Sequence, residues 1–231
     1  MDQRVKPAPH EIRAARYDNP KMRERDLALQ LGISEAELVA AHCGESVRRI
    51  EPRVDDLLTG LEAVGEVMAL TRNESAVHEK IGVYDKFIAG KHAAMMLGEK
   101  IDTRMFPTKW AHGFTIWSED GGKIKRSLQF FDAQGTAVHK IHARPATKID
   151  AWNALVEKLS LDDQTPGMTV LPAEAPEPTV DDIPVEELRD RWTRMKDTHQ
   201  FVTILRKLNV DRLDAIRAVG EDFAWQIDTS A

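Results

Sequence analysis

The chain has 231 residues, 42% of them apolar, and a formal net charge of −6, with an isoelectric point near 5.8. That apolar share lies somewhat under the roughly 45–50% of average globular chains, yet it suffices for a buried core and excludes disorder over the whole length. The acidic balance excludes a global attraction to nucleic acid or anionic lipid, so an anionic ligand has to be held by a local basic cluster.

The single cysteine, Cys43, cannot form an intramolecular disulfide and fits a reducing compartment. The N-terminus, Met1 to Pro7, has no apolar stretch of the kind a signal peptide uses. The longest purely apolar run, Ala93 to Leu97, falls far short of the roughly 20 residues of a membrane span. A soluble, cytoplasmic protein is expected.

Three short helices open the chain: Glu11 to Tyr17, Met22 to Leu31, and Glu35 to His42. The third follows Ser34, with Glu37 three residues on, the spacing of a capping box. A fourth helix, Asp55 to Val64, buries Leu57, Leu58 and Leu61. From Gly65 to His142 the pattern changes to short extended runs, with strands expected near 66–72, 76–83, 86–89, 92–97, 101–106, 111–117, 123–131 and 136–143. Asp120-Gly121-Gly122 marks one hairpin and Asp132 to Gly135 another. Strands so close in sequence pair antiparallel. On the first of them Met68 and Leu70 face one side, Val67 and Ala69 the other, as in a strand covered on both faces. Asp150 then caps a helix whose apolar stripe is Trp152, Leu155, Val156 and Leu159.

Residues Thr165 to Ile183 carry four prolines and an acidic run, as an extended tether does. Helices resume from Pro184 to Lys196, Gln200 to Leu208 and Asp211 to Val219. The expected fold class is α+β, helices packed on a large antiparallel sheet. The expected domains are a complete unit over 1–162, a linker over 163–183 and a helical stub over 184–231.

That stub resembles the chain's own beginning. Leu31-Gly32-Ile33-Ser34, a short helix and Gly44-Glu45 match Leu208-Asn209-Val210-Asp211, a short helix and Gly220-Glu221, with one gap. Each copy has a left-handed-tolerant residue, a β-branched residue and a capping side chain. Chance similarity between two helix-turn-helix units stays open. A true repeat calls for a second sheet after Ile227, so the chain is expected to stop early in its second copy.

No nucleophile elbow, phosphate loop or zinc motif is present. His139 and His142, three apart on a strand, point to opposite faces and read as ordinary strand histidines; His78 and His112 carry no spacing argument. Arg25 to His42 has the outline of a DNA-binding helix-turn-helix, but Glu35 and Glu37 stand where phosphate and base contacts belong, with Arg48, Arg49 and Arg53 just beyond. A packing unit is the expected reading. His199 continues the apolar stripe of Leu188, Trp192 and Met195 into a break between helices, where an imidazole can reach an iron or another soft-ligand metal. Asp197 and Thr198 can alternatively cap the next helix and leave His199 near its N-terminus. The residues alone leave an ordinary core or surface histidine open.

Several stretches together resemble one family: Met68 to Lys80, Arg104-Met105-Phe106-Pro107, Trp110 to Phe114, Ser127 to Asp132 and Asp197-Thr198-His199. Over about residues 10–227 the chain is similar to the cytoplasmic heme-handling proteins of Gram-negative bacteria, the HemS, ChuS or PhuS type, or hemin-degrading factors. That resemblance implies two similar halves, each with helices on an antiparallel sheet, and heme as cofactor. It implies that His199 is the proximal ligand to heme iron, and that Arg104 lies on the heme's other side, where a guanidinium polarises iron-bound water or oxygen. A sheet-surface ion pair is the plain alternative for Arg104. Members receive heme after import and some degrade it with oxygen and a reductant, so the implied partners are the inner-membrane heme importer and a heme-degrading enzyme. A heme-oxygenase-like activity is an expectation for the full-length protein. A non-catalytic heme carrier that docks on a partner and a helix-turn-helix regulator are the rivals. The family's second sheet contributes much of the heme pocket, so heme binding by this shorter chain alone is the point on which the resemblance is tested.

Overall fold

The structure, a computed structural model, describes residues 6–90, 93–172 and 182–228. The start of the strand expected at 92–97 and much of the tether, including Pro176 and Pro178, lie outside the described residues. The chain forms two compact units, Met1–Ala173 and Glu174–Ala231.

The first unit opens with α1 (Pro9–Asp18), α2 (Glu24–Leu31) and α3 (Glu35–Ala40). α2 ends on Gly32 at φ 68, a left-handed conformation that glycine adopts without a Cβ penalty. The Ile33 amide donates to the Ala28 carbonyl and that of Gly32 to Leu29, the paired bonds of a Schellman turn. Ser34 Oγ then accepts from the Glu37 amide at 3.2 Å, while Glu37 accepts from the Ser34 amide at 2.8 Å. The expected capping box is formed.

A strand that sequence periodicity does not announce follows: β1 (Val47–Ile50). After it come α4 (Val54–Val64), β2 (Val67–Arg72), β3 (Val77–Gly82), β4 (Phe87–Ile88), β5 (Ala94–Leu97) and β6 (Asp102–Met105). A 3-10 turn, Pro107–Lys109, leads to β7 (His112–Asp120), β8 (Lys123–Phe131), β9 (Ala137–Ala143) and α5 (Ile149–Leu159). All eight expected strands have a counterpart. Together with β1 they form an antiparallel six-stranded sheet in the order β1-β7-β8-β9-β2-β3, and a separate antiparallel sheet β4-β5-β6.

The Asp120 hairpin turns through Gly121 and Gly122 at φ 57 and 78, the left-handed pair that a two-residue turn requires. Asp132 makes the second turn by accepting from the amides of Gln134 and Thr136. α4 and α5 lie on one face of the large sheet, burying Leu57, Leu61, Trp152 and Leu155 with Leu128 and Phe130. Each such side chain fully removed from water contributes about 1.5–3 kcal/mol. α5 corrects one expectation: its N-cap is Lys148, whose carbonyl accepts from the Trp152 amide at 3.0 Å. Asp150 stands instead in the first turn, where a carboxylate favours the positive end of the helix dipole.

The beginning of the expected tether packs on this first unit. Gly167 donates to the Ala40 carbonyl, Leu171 donates to Ala133, and Met168 and Val170 cover the cluster around Phe114 and Phe131. Among the described residues no helix is long and apolar enough to cross a membrane.

The second unit consists of α6 (Val185–Thr193), α7 (Gln200–Leu208) and α8 (Arg212–Val219) around Leu188, Leu205, Leu208 and Val219. α7 ends on Asn209 at φ 52, Val210 donates to Leu205, and Asp211 caps α8 by accepting from the amides of Leu213 and Asp214. These are the same local devices that join α2 to α3.

Candidate functional site

His199 stands at the N-cap of α7. α6 stops at Thr193, and the Met195 amide turns back to the Trp192 carbonyl at 3.0 Å. The stripe expected to run from Leu188 through Met195 to His199 is therefore broken: Trp192 and Met195 pack on the unit's core, whereas the His199 side chain is 73% exposed. His199 does lie at the start of the next helix, as the alternative reading has it, but neither Asp197 nor Thr198 caps that helix with its side chain, and His199 itself is the N-cap. Across the break Trp192 packs on Phe201, the rings tilted and their centroids 4.6 Å apart.

The orientation of the imidazole comes from Asp197. One carboxylate oxygen, Oδ1, accepts from the His199 amide at 2.7 Å and also lies 2.7 Å from His199 Nδ1. Hydrogen bonding from the backbone amide and then from the ring holds the Asp197 carboxyl below the usual carboxylate range, so it is ionised and can only accept. Nδ1 consequently carries the proton, and in the neutral ring Nε2 is left with its lone pair outward. A histidine whose second nitrogen donates to a carboxylate is the common arrangement of a metal-ligating imidazole. From the sequence, Asp197 reads as a capping candidate and as the first residue of the Asp197-Thr198-His199 motif; that Asp-x-His spacing is the signal for its hold on the ring.

Arg104, in the first unit, is an exposed residue of β6. It pairs across to Met95, which pairs with Ile88, and directly opposed residues share a sheet face. The guanidinium thus ends a cross-strand row of apolar side chains, with Ile88 44% exposed, and Phe106, just past the strand, is 55% exposed. The opposite face, Ala94, Met96 and Met105, is buried. No carboxylate among the described residues pairs with Arg104, so the ion pair weighed from sequence is not formed there. An unpaired cation beside exposed apolar groups suits a flat, largely apolar ligand that carries negative charge. His199 and Arg104 belong to different units, and each is described within its own.

The other histidines separate as the strand spacing requires. His139 is buried, with Thr71 Oγ1 2.8 Å from Nδ1 and the Tyr84 hydroxyl 2.5 Å from Nε2. Burial, with a smaller contribution from His142, pushes its pKa down to about 4, so it stays neutral in the core. His142 lies on the opposite face, its pKa lowered chiefly by burial. His78 is exposed, and burial lowers the pKa of His112. Among the described residues no cluster of three or more His, Cys, Asp or Glu side chains could hold a metal ion.

The helix-turn-helix outline is a packing unit. α3 buries five of its six residues, which leaves no face for a DNA groove. Glu35 binds Arg72 at 2.7 Å and Lys140 at 3.2 Å, docking the helix on the sheet. Glu37 pairs with Lys6 at 2.6 Å; burial opposes its ionisation, but the hydrogen bonds from Lys6 and Ser34 outweigh it and lower its pKa.

The chain is similar to proteins of one known family. Residues 32–159 match the model of the haemin-degrading HemS.ChuX domain. The chain is 39% identical over 221 residues to the hemin transport protein HmuS of Yersinia pestis, an alignment covering 94% of this chain and 63% of that protein. It therefore spans less than two thirds of that relative's length. Among solved structures it is similar to holo-PhuS, a heme-binding protein of Pseudomonas aeruginosa, with TM-score 0.88 and 36% identity over 94% of this chain and 65% of that one. The heme degrading enzyme ChuS of Escherichia coli O157:H7 matches with TM-score 0.77 and 32% identity, over 90% and 60% of the two chains. With a family match over more than half its length, and helices on an antiparallel sheet that superpose on these structures, the chain belongs to the haemin-degrading HemS.ChuX domain family.

Proposed function

We propose that this chain is a heme-binding protein of bacterial heme-iron uptake, working in the cytoplasm, with His199 Nε2 as the ligand to heme iron. The observation that carries the reading is the Asp197–His199 pair: the carboxylate fixes both the tautomer and the direction of an exposed imidazole, and the relatives named as heme proteins match the chain across this stretch. Asp197 holds the proton at Nδ1, so in the neutral ring Nε2 is the nitrogen offered to iron. We also propose Arg104, in the first unit, as a heme-binding residue, since its guanidinium lies beside an apolar sheet face and can donate to an anionic or iron-bound oxygen. Heme, when bound, supplies the iron centre on which any oxidative degradation depends.

Handing heme on and breaking it down are both compatible with these groups. The inner-membrane heme importer as donor and a heme-degrading enzyme as acceptor are the partners we propose for a carrier. Bound heme that survives oxygen and a reductant identifies a carrier; loss of the Soret band with an open tetrapyrrole as product identifies an enzyme. We further propose that the second unit is another copy of the opening helices, since the α7–α8 junction repeats the turn and cap of the α2–α3 junction.

The test is heme titration followed by the Soret band. His199→Ala is expected to abolish the ligated spectrum. Asp197→Ala, which removes only the ring's support, is expected to weaken binding by about 10–100-fold. An unchanged spectrum in His199→Ala would remove the ligand assignment.

A further inference from the structure

Asp197 gives the His199 ring more than a direction. Its Oδ1 lies 2.7 Å from the His199 amide nitrogen and 2.7 Å from Nδ1, accepting from both. The amide bond anchors the oxygen, so the carboxylate stays on the ring although its side chain is 61% exposed. No cation among the described residues shares its charge: Arg194 is bound to Asp190, and Lys196 forms no ion pair there. A whole negative charge is therefore directed at one ring nitrogen.

Two fields act on the imidazole in opposite senses. His199 is the N-cap of α7, and the amide end of a helix amounts to about half a positive charge, spread over the first turn. That end draws electron density away from the ring. Asp197 pushes it the other way, with a whole charge in direct hydrogen-bond contact. Coulomb energy grows with charge and falls with distance, so the carboxylate outweighs the helix end. Its bond to Nδ1 makes Nε2 a stronger electron donor than the ring of an unsupported histidine. A stronger donor, with a negative charge behind it, stabilises a trivalent iron more than a divalent one.

We propose that Asp197, given His199 as the iron ligand of the reading above, is a positioning residue whose charge, passed through the His199 ring, biases the site toward ferric over ferrous heme. The measurement is the reduction potential of heme bound to the full chain, in wild type, Asp197→Asn and Asp197→Ala. Asparagine keeps an acceptor in the same place and removes the charge; alanine removes both. Asp197 is exposed and outside the core of its unit, so neither change disturbs the packing. Both variants are expected to lose about tenfold of the ferric-over-ferrous preference, a rise in potential of about 59 mV for a one-electron couple. The iron–histidine stretching frequency of the ferrous form is expected to fall with the lost charge. If the carboxylate only orients the ring, Asp197→Asn keeps the wild-type potential; a potential equal to or below that of wild type overturns the proposal. His199→Ala is measured alongside. Loss of ligation there, with a wild-type potential in Asp197→Asn, removes this inference and leaves the ligand assignment standing. Ligation that survives His199→Ala removes both.

Discussion

His139 shows what burial does to a residue that carries no charge to spare. Its pKa of about 4 lies below the ordinary 6.5, so between those values the unfolded chain binds a proton that the folded chain refuses. Stability is complete above pH 6.5 and falls as the pH drops toward 4. The depression corresponds to about 3 kcal/mol at its full extent. Urea melts at pH 7 and pH 5 should show wild type losing stability on acidification, with a shallower loss in His139→Gln. Equal slopes would mean that His139 titrates normally. At the same scale, His199 was legible only as a candidate, because the property that matters is the Asp197 Oδ1 bond at 2.7 Å. Helical periodicity misplaced it: a stripe of 3.6-residue spacing carries through only where the helix does, and α6 ends at Thr193.

At the scale of elements, most boundaries followed from local chemistry. Capping residues, left-handed Gly32 and Asn209, and the Asp-Gly-Gly hairpin each act over a few residues and are readable in order. β1 escaped because its two buried residues serve different cores: Val47 packs with Phe114 and Phe131, Ile50 with Leu57 and Leu128. Three apart, they give no alternation. Asp150 misled because acids are favoured both as N-caps and in the first turn. The close passage of β1 beside β7 supplies a test. A methyl group at Gly113 would meet the Ile50 carbonyl oxygen at 2.8 Å and the Phe130 ring at 3.0 Å. Gly113→Ala is therefore expected to cost about 1–3 kcal/mol by overpacking, measured by denaturant unfolding. The proposed repeat adds another: Ser34→Ala and Asp211→Ala remove equivalent caps and should each cost about 1 kcal/mol, Ser34 in the first unit and Asp211 in the second. On the matching faces of the capped helices, Ala36 and Val39 of α3 are covered by Phe114 and Phe131, whereas Leu213 and Ile216 of α8 line an open groove with Trp225. α8 thus presents an apolar face that in α3 is spent on the sheet.

For the whole molecule, the family resemblance rested on separated motifs, and the structure explains why those motifs sit where they do. Met68 to Lys80 forms the β2-β3 hairpin, Ser127 to Asp132 runs along β8 into its turn, and Trp110 packs on Phe130 at 4.6 Å between centroids. Two of the marked positions, Arg104 and His199, have little packing reason to be what they are: both are exposed. Core packing therefore accounts for neither, which is consistent with the ligand roles proposed for them. The central assignment is His199 as the iron ligand. The direct measurement is the electron paramagnetic resonance spectrum of the ferrous nitrosyl heme complex, prepared with and without 15N-labelled histidine. Labelling is expected to change the hyperfine pattern in the wild-type chain and to leave it unchanged in His199→Ala. A labelled-histidine signal that persists in His199→Ala would contradict the assignment.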